Sequence, residues 1–209
     1  MTLEQEFQKA LTELRKEKQR KFDQTVDLII NLQKFDVKKT PINLIVNVPH
    51  KIKEKKICAF LEAENKKFDT IALEQFRKYE DKKKIKNLVN KYDFFIAQAS
   101  IMPKVASTFG RVLGPVGKMP SPQLGIIMKS DEKTLNDIKT KIDNSLKIRV
   151  KEPSLKIAIG KQSMSDKDII ENIMVVYNSM LKALTRDLEN IKNLEIKFTM
   201  TKPKKISVR

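Results

Sequence analysis

The sequence predicts a mixed fold: an α+β domain assembled from both ends of the chain, with an α/β domain inserted between them. Three observations carry this. Both ends combine a helical apolar stripe with strands of period two; the middle alternates short apolar strands with amphipathic helices; and the composition shifts at the charged bridge Lys51–Lys56. One helix and two strands at the start leave a sheet face uncovered, and the last segment supplies strands and a long helix to cover it. The expected domains are residues 1–54 with 148–209, and the inserted 55–147.

The elements follow in order. Leu3, Phe7, Leu11 and Leu14 lie on one stripe and predict a helix over 3–19, ending in the basic cluster Arg15, Lys16, Lys18, Arg20 and Lys21. Residues 21–30 then alternate, with Phe22, Gln24, Val26 and Leu28 on one side and Asp23, Thr25 and Asp27 on the other. A second strand is expected over 42–48, stopping at Pro49-His50. In the middle, 57–61 reads as a buried strand, 69–76 as a short strand with a turn or a short helix, and 81–91 as a lysine-rich helix. Residues 94–99 form a strand, 102–113 a helix, 125–128 a short apolar segment and 131–143 a helix, which suggests helices over a mainly parallel sheet. After Ser145 the pattern is antiparallel, with alternating strands at 146–150 and 155–159. A long helix spans 166–185, with Asp166 or Ser165 as its cap, and strands at 194–198 and 206–208 finish the chain.

The 209 residues carry 43 Lys+Arg against 26 Asp+Glu, a net charge of +17, with 40% hydrophobic content. That composition fits a globular protein. A positive field of this size favours a polyanion (RNA, DNA or an anionic membrane surface) over a lysine-rich surface that is merely solvated. The lysines sit within the predicted elements and not in a separate tail, which favours a folded nucleic-acid binder. With no tryptophan and three tyrosines, extended base stacking is not advertised. No run is long and apolar enough for a membrane span, and the acidic, helix-like start does not read as a signal peptide. The single cysteine, Cys58, allows no internal disulfide, and a cytoplasmic protein is expected.

Residues 109–125 concentrate four of the five glycines and three of the eight prolines, with Arg111 and Lys118 and no acid. The stretch reads either as one shaped basic loop or as a helix-terminating connection. It is not a Walker loop, since Lys118 is followed by Met119. Gly114-x-x-Gly117 resembles the clamp of a KH domain, but Pro120 and Pro122 forbid a helix directly after Lys118. His50, the only histidine, reads as a turn residue, and Cys58 as a small hydrophobe in a strand. No carboxylate pair suggests catalysis and no cluster suggests a metal, so neither enzyme activity nor a cofactor is expected. A KH-like regulator and a phosphate-handling enzyme are the rival classes. RNA contact has better material: Lys21, Phe22 and Thr25 on one strand, and Thr199, Met200, Lys202 and Lys204 leaving another.

Several segments in order resemble one family. Leu113–Pro120 is similar to the signature of the ribosomal protein L-one family, the large-subunit protein of the mobile side stalk, with Val116 where an arginine is usual. Residues 21–27 resemble its N-terminal signature, 91–97 and 106–122 its archaeal-type middle, and 159–161 and 198–200 its C-terminal marks. The resemblance implies a discontinuous RRM-like α+β domain and an inserted Rossmann-like three-layer α/β/α domain. It implies rRNA of the side stalk as partner, exit-site tRNA whose release the stalk assists, other ribosomal components, and in many members repression through the protein's own mRNA. It further implies a monomer when free, without membrane attachment, placed on the large subunit in the cytoplasm. By motif position the RNA contacts fall on Lys21, Phe22, Thr25, Lys151, Thr199 and Met200, with Thr201 and Lys202 beside them. Lys151 is followed by Glu152-Pro153, unlike the family's usual turn, and Thr201 replaces a glycine, where a Cβ obstructs close approach to RNA. Gly114, Gly117 and Lys118 are assigned to a secondary contact or a structural loop.

Overall fold

A computed structural model describes residues 2–17, 20–37, 39–63, 68–79, 81–128 and 132–207. The chain separates into two compact units, Met1–Lys53 with Asn144–Arg209, and Glu54–Asp143.

The first unit is built on a four-stranded antiparallel sheet. Its strands are β1 (Thr25–Leu32), β8 (Ser154–Lys161), β9 (Ile191–Phe198) and β10 (Lys204–Ile206), in the order β10-β9-β1-β8. Helices α1 (Leu3–Lys16) and α5 (Asp166–Ala183) pack against each other, α1 over β9 and β10 and α5 over β8. The apolar stripe Phe7, Leu11 and Leu14 meets Val26, Leu28 and Ile30 of β1, Leu194, Ile196 and Phe198 of β9, and Ile169, Ile173, Val176 and Met180 of α5 in one core. Ser165, not Asp166, caps α5: its hydroxyl accepts from the Asp168 N–H at 3.2 Å. Asp166 instead takes the Arg15 guanidinium at 2.7 Å.

Three expectations change here. The first helix ends at Lys16, and Lys18 and Gln19 lie outside the described residues. The first strand begins at Thr25 and not at Lys21, because its neighbours run out: Thr25 faces Lys161, the last residue of β8, and Val26 faces Phe198, the last of β9. Asp27, expected on the solvent side, is buried, and the Lys156 ammonium 2.9 Å away compensates its charge.

Strand β2 (Asn43–Asn47) pairs antiparallel with β7 (Ser145–Arg149) as a separate ladder whose Val46 and Ile148 join the same core. The alternating strands on either side of Lys151–Pro153 are therefore not paired with each other. Because β7 belongs with β2, the first unit resumes at Asn144. At the chain end β10 stops at Ile206, and Val208 and Arg209 lie outside the described residues.

The second unit has a four-stranded parallel sheet of β3 (Ile57–Leu61), β4 (Asp69–Ala72), β5 (Phe94–Gln98) and β6 (Ile126–Ile127), ordered β4-β3-β5-β6. Of the two readings of 69–76 a strand to Ala72 holds, followed by a 3-10 helix, Leu73–Tyr79. One face carries an aromatic cluster, Phe60, Phe76, Phe95 and Phe109, under α2 (Lys82–Lys91) and α3 (Met102–Val116). Phe109 lies 4.8 Å from Phe60 and edge-on to Phe76 at 5.2 Å, centroid to centroid. On the other face Ala59, Leu61, Ile96 and Ile127 meet Leu135 and Ile142 of α4 (Glu132–Asp143); Asp131, the predicted first residue of α4, is outside the described residues.

The glycine-proline stretch divides differently from either sequence reading. Helix α3 runs through Gly110, Gly114 and Pro115 before stopping. Two glycines weaken a helix by about 1 kcal/mol each without ending it, and a proline in the last turn removes only one bond. The stop comes at Gly117, left-handed at φ 77°, whose N–H donates to the Gly114 carbonyl at 2.9 Å while that of Lys118 reaches Leu113 at 3.0 Å. This pairing is a Schellman motif, which requires the positive φ that glycine supplies. Gly125 is needed for space, since a Cβ would stand 3.0 Å from Pro120 and 3.1 Å from the Phe95 carbonyl oxygen.

Candidate nucleic-acid interface

Three segments far apart in sequence meet at one end of the antiparallel sheet: residues 21–25 before and into β1, the turn at 161–163 after β8, and the turn at 199–202 after β9. The register dictates the meeting, because β1 begins where its two antiparallel neighbours end. Side-chain bonds then fix the three segments together.

Gln24 is the central tie. It is only 2% exposed. Its amide oxygen accepts from the Met200 N–H at 3.0 Å, its Nε2 donates to Gln162 Oε1 at 3.2 Å, and its carbonyl accepts from the Gln162 N–H at 2.8 Å. Thr199 Oγ1 accepts from the Thr25 N–H at 3.1 Å and donates to the Thr25 carbonyl at 3.3 Å. Asp23 accepts from the Ser163 N–H and hydroxyl at 3.0 and 2.9 Å. From the helix side, Arg15 donates to the carbonyls of Gln162 and Met164 at 2.9 and 2.8 Å. A buried polar group so fully paired fixes its surroundings without an unsatisfied donor or acceptor.

The turn after β9 is closed by Thr201. The Phe198 N–H donates to Thr201 Oγ1 at 2.9 Å, and the Thr201 N–H to the Phe198 carbonyl at 3.2 Å. Thr201, which the resemblance puts where a glycine is usual, therefore holds the turn with its own side chain.

What this scaffold leaves outward is apolar and cationic. Phe22 and Met200 are 50% and 57% exposed. Phe22 is thus not a core residue, although strand alternation placed it on the buried side. Lys21 and Lys202 are exposed beside them. Lys204, turned toward α1, pairs with Glu13 at 3.0 Å. Flat apolar groups flanked by ammonium groups suit sugars, bases and phosphates of a nucleic acid, while Thr25 and Thr199 serve chiefly as scaffold.

Of the residues predicted from sequence, the structure brings together Lys21, Phe22, Thr25, Thr199, Met200, Thr201 and Lys202. It does not bring Lys151 to them. Pro153 bonds the N–H of Leu32, at the far end of β1, and Asn31 faces Ser154 while Thr25 faces Lys161. Six strand residues separate the two ends, roughly 20 Å at about 3.4 Å per residue. The position at the site is held by Lys161, whose ammonium is 3.7 Å from Asp23. Its signal was present in Ile159-Gly-Lys161, but only the β1–β8 register turns that motif into a neighbour of Thr25.

Gly114, Gly117 and Lys118 belong to the second unit. Gly114 and Gly117 make the helix end described above. The Lys118 ammonium donates to the carbonyls of Val89 and Tyr92 at 2.7 and 2.8 Å, capping the C-terminus of α2, and this is a structural engagement. No helix follows Gly117 directly, so the two-helix clamp of a KH domain is not formed. His50 occupies the turn after β2, where its N–H donates to the buried Asn172 at 3.1 Å and Nε2 lies 2.7 Å from Glu171. Cys58 is buried in β3, and burial, with Asp69 beside it and Lys91 opposing, pushes its thiol up to about 12. Among the described residues no group of three His, Cys, Asp or Glu side chains could hold a metal ion, and no helix is long and apolar enough to cross a membrane.

Comparison with known proteins agrees with the segments that carried the resemblance. A model of the ribosomal protein L1p/L10e family matches residues 14–202. The chain is 33% identical to the large ribosomal subunit protein uL1 of Nanoarchaeum equitans, over 89% of this chain and 92% of that protein. It is 35% identical to uL1 of Methanobrevibacter smithii, covering 94% and 96%, and 37% identical to uL1 of Thermoplasma volcanium, covering 88% and 87%. With nearly the full length matched by one family and by full-length relatives, the chain belongs to the ribosomal protein L1p/L10e family.

Proposed function

We propose that this protein is a structural constituent of the large ribosomal subunit, in the cytoplasm, and that it binds the rRNA of the mobile side stalk through the sheet-end surface of its first unit. One observation carries the reading: the register and the Gln24 bonds converge Lys21, Phe22, Met200, Lys161 and Lys202 on one rigid, outward-facing surface. Preorganisation of this kind lowers the cost of ordering the protein on binding. The role is not catalytic. In this reading the first unit is the RRM-like RNA-binding domain and the second the inserted Rossmann-like domain.

The finer roles follow from the same assignment. The stalk's movement with exit-site tRNA assists release of deacylated tRNA, and the free monomer represses translation by binding a similar structure in its own mRNA. A titration of the full chain against a stalk rRNA fragment, with a scrambled RNA of equal length at two salt concentrations, tests the primary claim. Selective binding that survives the higher salt supports it. Equal, steeply salt-dependent binding to both RNAs overturns it, since that pattern needs only the net charge.

A further inference from the structure

We propose that the groove between α2 and α3 of the second unit is a docking site for an acidic segment of another protein, one whose apolar side chains are flanked by Asp or Glu. The inference does not depend on the rRNA-binding reading.

The groove encloses about 460 Å³, and its aliphatic lining is Val89, Val112, Pro115 and Val116. That volume falls within the roughly 300–1,000 Å³ usual for binding pockets. Val116 is 50% exposed, directly after the exposed Pro115, so the end of α3 presents apolar surface to solvent. The charged lining residues are Lys82, Lys86 and Arg111, with no acidic residue among the lining groups. None of these three side chains has an ion-pair partner among the described residues. An apolar lining set among cationic groups is complementary to apolar side chains set among carboxylates.

The same lining argues against RNA. It has no aromatic ring for stacking and, apart from Asn90, no neutral amide or hydroxyl to read a base edge. By contrast, the sheet-end surface offers Phe22 and Met200. The groove is also preformed, because Lys118, two residues past the end of α3, bonds the carbonyls of Val89 and Tyr92. Both helix ends are thus held at the spacing a guest would meet.

The test uses the full chain and a labelled amphipathic peptide with leucines at i, i+3, i+4 and i+7 and glutamates between them. Controls are the same peptide with serine for leucine, the same with lysine for glutamate, and a single-stranded RNA oligonucleotide. At physiological ionic strength the acidic apolar peptide should bind, with backbone amide shifts confined to residues 82–90 and 111–118. The serine and lysine peptides should bind at least about tenfold more weakly, as should the leucine–glutamate peptide to Arg111→Glu or Val116→Asp variants. Both changes are at exposed positions, and unchanged circular dichroism would confirm folding. Lys139→Glu, outside the groove, should leave binding unchanged. Equal binding of the serine peptide, shifts spread over other lysines, or displacement of the peptide by the RNA oligonucleotide at the groove would overturn the proposal.

Discussion

Thr199 and Thr25 exchange two hydrogen bonds through a single hydroxyl, which takes the Thr25 N–H at 3.1 Å and gives its own proton to the Thr25 carbonyl at 3.3 Å. The contact ties the end of β9 to the start of β1 after the regular ladder has stopped at Val26 and Phe198. Thr199→Val keeps the shape and removes both bonds, so it should cost about 1 kcal/mol of stability and weaken stalk-rRNA binding. Thr199→Ser should restore both. Denaturant unfolding and RNA titration of the two variants check this; a valine variant equal to wild type would show that the hydroxyl bonds do not matter.

Thr201→Gly should separate stability from affinity. Loss of the hydroxyl that accepts the Phe198 N–H, together with glycine's chain entropy, should destabilise the protein by about 1 kcal/mol. Removing the Cβ opens the backbone to the nucleic acid, so affinity for the stalk rRNA should rise. Parallel melting and binding measurements check it, and a fall in both would mean that the turn's rigidity outweighs the space gained.

Much of the fold was legible because it is written locally. The stripe Phe7, Leu11, Leu14 and the paired runs 57–61 and 94–98 fix their elements by period and apolarity alone. The helix through Gly110, Gly114 and Pro115 was not, since those residues are weak stop signals and only the bonds of Gly117 and Lys118 show where the helix ends. The candidate site was legible only as separate pieces. Gln24 read as one more residue of an alternating strand, yet its partners lie at Gln162 and Met200, set by long-range pairing that no local pattern encodes. The same register puts Lys161 at the site and Lys151 at the opposite end of β1.

Lys118→Met should destabilise the second unit by about 2 kcal/mol, because the carbonyls of Val89 and Tyr92 lose a charged donor at the end of α2. Hydrogen exchange of residues 82–92 is the direct measurement. Protection equal to wild type there would refute the capping role.

Cys58 should be inert toward thiol reagents in the folded protein. Its thiol is pushed from 9.0 up to about 12, chiefly by burial and then by Asp69, so the nucleophilic thiolate is nearly absent near neutral pH. The folded value being the higher one, its contribution to stability is complete below about pH 9 and is lost as pH rises toward about 12. Disulfide-exchange labelling at pH 8 should proceed only with denaturant, and rapid native labelling would contradict the buried assignment.

The most direct test of the RNA-binding surface is one titration series against the stalk rRNA fragment with wild type, Phe22→Ala, Met200→Ala, Lys161→Ala and Lys151→Ala. The sheet-end surface predicts losses of roughly 1–3 kcal/mol for Phe22→Ala and Met200→Ala, a clear loss for Lys161→Ala and little change for Lys151→Ala. Unchanged affinity in the first three with a large loss at Lys151 would contradict it and move the RNA to the other end of the sheet.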